Sequence, residues 1–177
     1  MRYYCKDLDE FSPSFSPNLS FKQLQYQDFE IASQSSIHGN WFSIPKLKKI
    51  KRAFDSGNNI CFGYFVNDSL VCYGFLNLNV TFEKCGDHVF TQDDAYIWDD
   101  YTAPAFRGKG LHKQLILYRS LKAKELGKKK VWSSIHTYNK VSAKNYTSLG
   151  FIPIFRNCIH VRKNGKVKSK FTPENPN

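Results

Sequence analysis

Apolar residues recur along this chain at two spacings, and the switch between them marks its elements. Runs rich in Val, Tyr, Phe and Cys predict strands at residues 60–66 and 70–82, and the polar turn Asn67-Asp68-Ser69 between them reads as the tip of an antiparallel hairpin. An apolar and aromatic run from residue 94 predicts another strand, residues 131–136 a further one, and residues 151–155 and 158–162 the last two. Residues 2–8 and 20–25 carry the pattern of short strands. Helical spacing appears over residues 26–37, where Phe29, Ala32 and Ser33 align and Asp28 is a candidate cap. It returns over residues 45–57, which open on Pro45, place Leu47, Ile50 and Phe54 on one side and end at Gly57. Residues 111–126 make about four turns of amphipathic helix, and residues 139–149 a last helix closed by Gly150.

A hairpin comes first, then strand, helix, strand, helix, strand, with no internal repeat and no dividing linker. The order predicts one α/β (α+β) domain with a mixed sheet. Residues 1–18, interrupted by Pro13 and Pro17, are expected to form an N-terminal extension packed on the surface. Residues 164–177, with their lysines, Pro173 and Pro176, are expected to be a basic, flexible tail.

Composition narrows the picture. At 177 residues, 41% apolar and 16% aromatic, the chain can bury the core of one domain and is too short for two. Its 26 Lys and Arg against 15 Asp and Glu give a net charge of +11, which favours an anionic ligand or partner without saying which. Cys5, Cys61, Cys72, Cys85 and Cys158 form no CxxC pair and no zinc-like spacing with His, so no metal is expected. Cys61 and Cys72 fall in apolar strands, where a small buried side chain is the ordinary role, and a reducing compartment follows as the expectation. The N-terminal residues lack the apolar region of a signal peptide, and no apolar run could span a membrane. A soluble, cytoplasmic protein with no membrane partner is expected.

The chemistry concentrates in residues 94–126. The strand breaks at Pro104, passes through Arg107-Gly108-Lys109-Gly110 and continues as the long helix. Glycine lets backbone N–H groups approach a ligand closely, and the first turn of a helix offers unpaired donors at the positive end of its dipole. A strand, glycine turn and helix in this order make an anion cradle suited to phosphate or pyrophosphate. A lone Gly-x-Gly before a helix is often only a tight turn, so the assignment needs a second signal.

That signal lies some 30 residues on. Arg107-Gly108-Lys109-Gly110-Leu111-His112 is similar to the R/Q-x-x-G-x-G/A pyrophosphate loop of the GNAT superfamily of acyl-CoA-dependent N-acyltransferases, and NKVSAKNYTSLGF, residues 139–151, resembles that family's N-x-x-x-A-x-x-Y-x-x-L-G-F segment. The one departure is His112, where the family prefers Gly or Ala. The resemblance implies a single GNAT-like domain over residues 19–163, with a mainly antiparallel central sheet flanked by helices. It implies acetyl-CoA as co-substrate. The N–H groups of Gly108, Lys109, Gly110, Leu111 and His112 and the charges of Arg107 and Lys109 would meet its phosphates. The peptide groups of Thr102, Ala103 and Pro104 would pair with the pantetheine amides, and Asn139 would hydrogen-bond the cofactor's arm.

Acetyl transfer by direct attack needs a neutral amine and a proton for the departing thiolate. Tyr146 matches the family's general acid, and a backbone N–H near Thr102 would stabilise the tetrahedral intermediate. No Glu occupies the strands that carry the base in other members. Strict alternation would put Tyr96, Trp98, Asp100 and Thr102 on one face and Ile97 and Asp99 on the other, so Asp100 is the first candidate base and His136 the second. A solvated or salt-bridged carboxylate is the competing role for Asp100. Asp93, Asp94, Asp99 and Asp100 would suit a cationic small-molecule amine, and Trp41, Phe42 and Trp98 could wall its site. An amino sugar and a peptide or protein amine stay open as acceptors, as does a homodimer. The competing class is a non-catalytic acyl-CoA sensor or scaffold, favoured by the missing Glu. Nucleic-acid binding through residues 46–52, 128–130 and 162–170 ranks low, because those clusters lack interleaved aromatics.

Overall fold

In chain order the elements are β1 (Arg2–Asp7), β2 (Lys22–Gln23), α1 (Tyr26–Ser33), α2 (Ile44–Asp55), β3 (Asn59–Val66), β4 (Ser69–Asn77), β5 (Asp94–Thr102), α3 (Leu111–Glu125), β6 (Lys130–Ile135), α4 (Lys140–Ser148), β7 (Ile152–Lys163) and β8 (Lys166–Pro173). This computed structural model describes residues 1–9, 11, 17–80, 89–163 and 166–173, with side chains as far as Ile154. The expected loop after β4 falls partly outside the described residues. One mixed sheet runs β2-β3-β4-β5-β6-β1-β7-β8, and among the described residues only the β5–β6 pair is parallel. A parallel pair needs a crossover, which α3 provides. No described helix is long and apolar enough to cross a membrane.

The hairpin forms where the pattern places it. Asn67 and Asp68 adopt φ of 47° and 60°, the left-handed pair that a two-residue turn requires and that short polar residues tolerate. Ser69 already pairs with Val66, so the turn is one residue tighter than expected. Alternation along β4 then feeds two cores. Val71 and Leu76 pack with Leu115, Ile116 and Leu117 of α3 and with Tyr146 of α4. Leu70, Tyr73 and Phe75 pack with Phe29 of α1 and Ile50 of α2 on the other face. Each such side chain, fully buried, contributes about 1.5–3 kcal/mol. Cys61 and Cys72 are buried free thiols within these clusters.

Helix α1 is shorter than the run that predicts it. Gln25 is its N-cap, and Asp28 acts from the third position by accepting the Gln25 N–H at 2.7 Å, a capping box. The remainder becomes a 3₁₀ turn at Ser36–His38. Residues 20–25 contribute only the two-residue strand β2.

Both chain ends differ from expectation. Arg2–Asp7, expected on the surface, runs inside the sheet between β6 and β7, with Tyr3, Tyr4 and Leu8 buried. Lys166–Pro173, expected as part of a flexible tail, is the edge strand β8, paired antiparallel with β7. Lysine-rich alternation is how exposed sheet edges avoid sticking to other chains, and in composition it looks like a solvated tail. The two strands expected at residues 151–155 and 158–162 are one continuous strand.

The feature that shapes the site is a bulge in β5. Phe75 pairs with Trp98 but Tyr73 with Tyr101, so β5 carries one extra residue there, and Asp99 takes φ 58°. The extra residue resets the alternation. Trp98 and Asp99 face α2, whereas Asp100 turns to the α3 side that Ile97 occupies.

Candidate active site

Beyond the bulge the sheet opens. The β5–β6 ladder ends at Ile97 opposite Ser133, while the β4–β5 ladder continues to Thr102 opposite Cys72. At the end of β5 the chain turns through Gly108 and Gly110, with φ of 77° and 76°, and enters α3. A Cβ on either glycine would meet nothing within 4 Å, so these glycines serve the backbone and leave open space beside it. Gln114 N–H makes the first helical bond, to Gly110 O at 3.1 Å, and the first turn holds no acidic residue. Those features fit the phosphates of coenzyme A. Left-handed backbone costs an L-residue about 1–2 kcal/mol. Gly110→Ala is therefore expected to lower stability by about 1 kcal/mol and to raise the KM for acetyl-CoA more than it lowers kcat, measured by thermal unfolding and steady-state kinetics.

A cleft of about 770 Å³ lies against this turn. Of the residues expected at the cofactor, Thr102, Arg107, Gly108, Gly110, Leu111, His112 and Asn139 line it, and so does Asp100. Ala103 is buried, and Pro104 and Lys109 are exposed outside its walls, Lys109 resting over the Phe106 ring at 4.9 Å. The backbone ladder expected for pantetheine is partly engaged already. Ala103 N–H donates to Val71 O at 2.9 Å, Ala103 O and Pro104 O accept from Phe106 and Arg107 N–H, and Thr102 O accepts from Arg107 Nε at 3.1 Å. Pro104 has no N–H to offer. Asn139 caps α4, its Oδ1 accepting from Ser142 N–H at 3.1 Å.

Behind the cleft wall sits a polar network. Arg119 of α3 is fully buried, pairs with Asp100 at 2.5 Å, and donates to Phe75 O at 2.9 Å and Leu115 O at 3.2 Å. Gly74 makes room for the pair, since a Cβ there would collide with both partners. Asp100 Oδ2 also meets His112 Nε2 at 2.9 Å and accepts from the Tyr146 hydroxyl at 3.1 Å. The other His112 nitrogen lies 2.9 Å from Asn145 Nδ2, so the ring bridges Asp100 and α4. Burial opposes ionisation of Asp100, but the Arg119 guanidinium and His112 outweigh it and hold the carboxyl well below the usual carboxylate range. A carboxylate so paired is a weak proton acceptor at neutral pH, which favours the salt-bridged role over that of base. Burial, and then the Asp100 charge, push the Tyr146 phenol above its ordinary range. Tyr146 is 1% exposed and reaches the cleft through Asp100. His136, the second candidate base, is exposed, with its ring stacked on Tyr138 at 5.0 Å.

The opposite wall is aromatic. Trp41 stacks on Tyr101 with centroids 4.5 Å apart, and both line the cleft with Phe106. Trp41 Nε1 donates to the Tyr73 hydroxyl at 3.0 Å, and His38 Nδ1 meets the Tyr101 hydroxyl at 3.2 Å. Burial lowers the His38 imidazole below its ordinary value. Of the three expected walls only Trp41 serves. Phe42 is buried in the α1–α2 core, and Trp98 stacks on Phe75 and donates to Asn59. Tyr101, Phe106, Asn145 and Arg119 escaped the sequence reading. Strict alternation would put Tyr101 on the face opposite Trp98, and an arginine on a helix is normally solvated.

The acidic run does not supply free negative charge. Asp93 pairs with Lys129 at 2.9 Å, and Asp94 accepts from Trp132 Nε1 at 2.6 Å and Thr91 N–H at 2.8 Å. Asp99 is held by Lys46 at 2.6 Å and Lys49 at 3.5 Å, and Asp100 by Arg119.

Known proteins share this fold. A curated relative from Bacillus subtilis (strain 168), the uncharacterized N-acetyltransferase YdgE, is 24% identical over 139 residues, covering 75% of this chain and 83% of its own. Among solved structures, the aminoglycoside acetyltransferase AAC(6')-Iy in complex with the bisubstrate analogue CoA-S-monomethyl-acetylneamine superposes with a TM-score of 0.64 at 16% identity, over 82% of this chain and 97% of that one. AAC(6')-IG from Acinetobacter haemolyticus gives 0.61 at 14% identity, over 82% and 99%. These likenesses establish the shared fold. The acetyltransferase (GNAT) family model matches residues 20–151, a span that holds the glycine turn, α3, the bulged strand and Tyr146, and the chain belongs to that family.

Proposed function

We propose that this protein transfers the acetyl group of acetyl-CoA to a primary amine of a small molecule by direct attack. The observation that carries this is one cleft joining the glycine turn and α3 N-terminus to the Trp41–Tyr101 wall, with the splayed end of β5 between them. Solved neighbours described as aminoglycoside acetyltransferases, one with CoA and one with a bisubstrate analogue, support a small-molecule amine.

Gly108, Gly110 and the first turn of α3 hold the phosphates, assisted by Arg107 and Lys109. Arg107 must release Thr102 O so that this carbonyl can meet the extended arm, and Asn139 offers its Nδ2 donors to the same arm. The amine arrives neutral, its nitrogen bonds to the thioester carbonyl carbon, and the carbon–sulfur bond breaks. The nitrogen sheds its surplus proton to solvent as the amide forms, and Tyr146, hydrogen-bonded to Asp100 at the cleft wall, supplies a proton to the departing thiolate and is reprotonated from solvent. Asp100 holds the phenol and His112 in place, and is a positioning residue.

The test is release of free thiol from acetyl-CoA when a library of primary amines is added. Stoichiometric thiol and acetylated amine are expected. Tight CoA binding with no thiol released by any amine would instead establish the sensor or scaffold, a role that the neutralised Asp100 favours.

A further inference from the structure

We infer that the acceptor carries a single amine on a flat apolar or aromatic body, and is not a polycation of the kind the structural neighbours acetylate; the inference rests on the acetyltransferase assignment above. A polycation needs carboxylates to replace the water around each ammonium group. Among the described cleft residues the one acidic side chain is Asp100, and Arg119 already neutralises it. Behind the aromatic wall, two lysines, Lys46 and Lys49, face the single carboxylate of Asp99. Lys46, paired with Asp99, sits over the Trp41 ring at 4.7 Å, and Lys49 is the one net positive charge that these three residues leave behind the wall. An acceptor with several ammonium groups would lose hydration and meet like charge. One with a flat apolar body would cover Trp41, Tyr101 and Phe106 and leave its amine at the splay of β5.

The same field bears on the proton that Asp100 is too weak a base to take. A like charge nearby disfavours the ammonium form of a bound amine. Lys49, the cation left over once Lys46 is paired with Asp99, therefore favours the neutral nucleophile, and a single-charge acceptor can lose its proton to water on entering. A polycation would gain nothing, since its remaining charges would still be repelled.

Thiol release with acetyl-CoA is to be compared for 2-phenylethylamine and neamine at low and high NaCl. We expect kcat/KM for 2-phenylethylamine to exceed that for neamine by about tenfold or more at low salt, and the gap to narrow as salt screens the repulsion. Trp41→Ala should lower kcat/KM for 2-phenylethylamine about tenfold while the KM for acetyl-CoA stays unchanged. Neamine turned over as well as 2-phenylethylamine, turnover confined to library amines with two or more ammonium groups, or a Trp41→Ala variant with unaltered kinetics would overturn the inference while the acetyltransferase assignment stands. No thiol release with any amine would overturn that assignment, and this inference with it.

Discussion

Arg119→Met is expected to destabilise the protein by about 3–5 kcal/mol, because it leaves a desolvated carboxylate without its counter-charge. The guanidinium is 0% exposed, and its other hydrogen bonds end on the carbonyls of Phe75 and Leu115, which would also lose donors. The size of the loss should depend on pH, and the sign follows from Asp100. Its carboxyl is held below the ordinary value in the folded protein, so its contribution is present above the unfolded value of about 4 and is lost as pH falls through the depressed folded value. The variant's carboxyl, buried without a cation, takes up its proton at higher pH, so the difference from wild type should shrink as pH is lowered. Chemical denaturation at several pH values measures both effects. The double variant Asp100→Asn, Arg119→Met should recover most of the stability, because removing both charges removes the desolvation penalty as well as the attraction. A single variant as stable as wild type at neutral pH would mean that the pair contributes nothing to the fold.

Tyr146→Phe is expected to lower kcat by about 10²-fold and leave the KM for acetyl-CoA nearly unchanged. The phenol is lost while the ring packing against Tyr4 and Phe151 stays, so stability should fall only by the lost hydrogen bond to Asp100, about 1 kcal/mol. Wild-type activity should persist past the ordinary tyrosine value of about 10, since burial and the adjacent Asp100 hold the proton on. Retention of full kcat by Tyr146→Phe across the pH range would remove the phenol from the mechanism. Phenylalanine keeps the fold, which separates this outcome from simple unfolding.

What was legible in the sequence was local. The hairpin, α2, α3 and the glycine turn each depend on residues a few positions apart, and the turn and the later NKVSAKNYTSLGF segment fall in one cleft because the β5–α3–β6 crossover brings them together. The placement of β1 was illegible because its partners lie far along the chain, and no local pattern in RYYCKD names them. The surroundings of Asp100 were illegible for two reasons. A single left-handed residue, Asp99, reverses the face of everything after it, and Asp is among the residues that adopt this backbone without leaving a mark in the pattern. Arg119 leaves no mark in the pattern, because an arginine on an amphipathic helix is normally solvated, and yet it anchors the network behind the cleft.

The seating of β1 also bears on how the chain matures. Tyr3 pairs with Ser134 on one side and Phe155 on the other, so this strand has to wait for β6, well over half the chain later, before it finds either neighbour. At about 5–20 residues per second, the Tyr-Tyr pair of that strand stays uncovered for on the order of ten seconds. Contacts of such long sequence separation slow folding. Deleting residues 1–7 would part the sheet, stranding β7 and β8 from the block that carries the cleft.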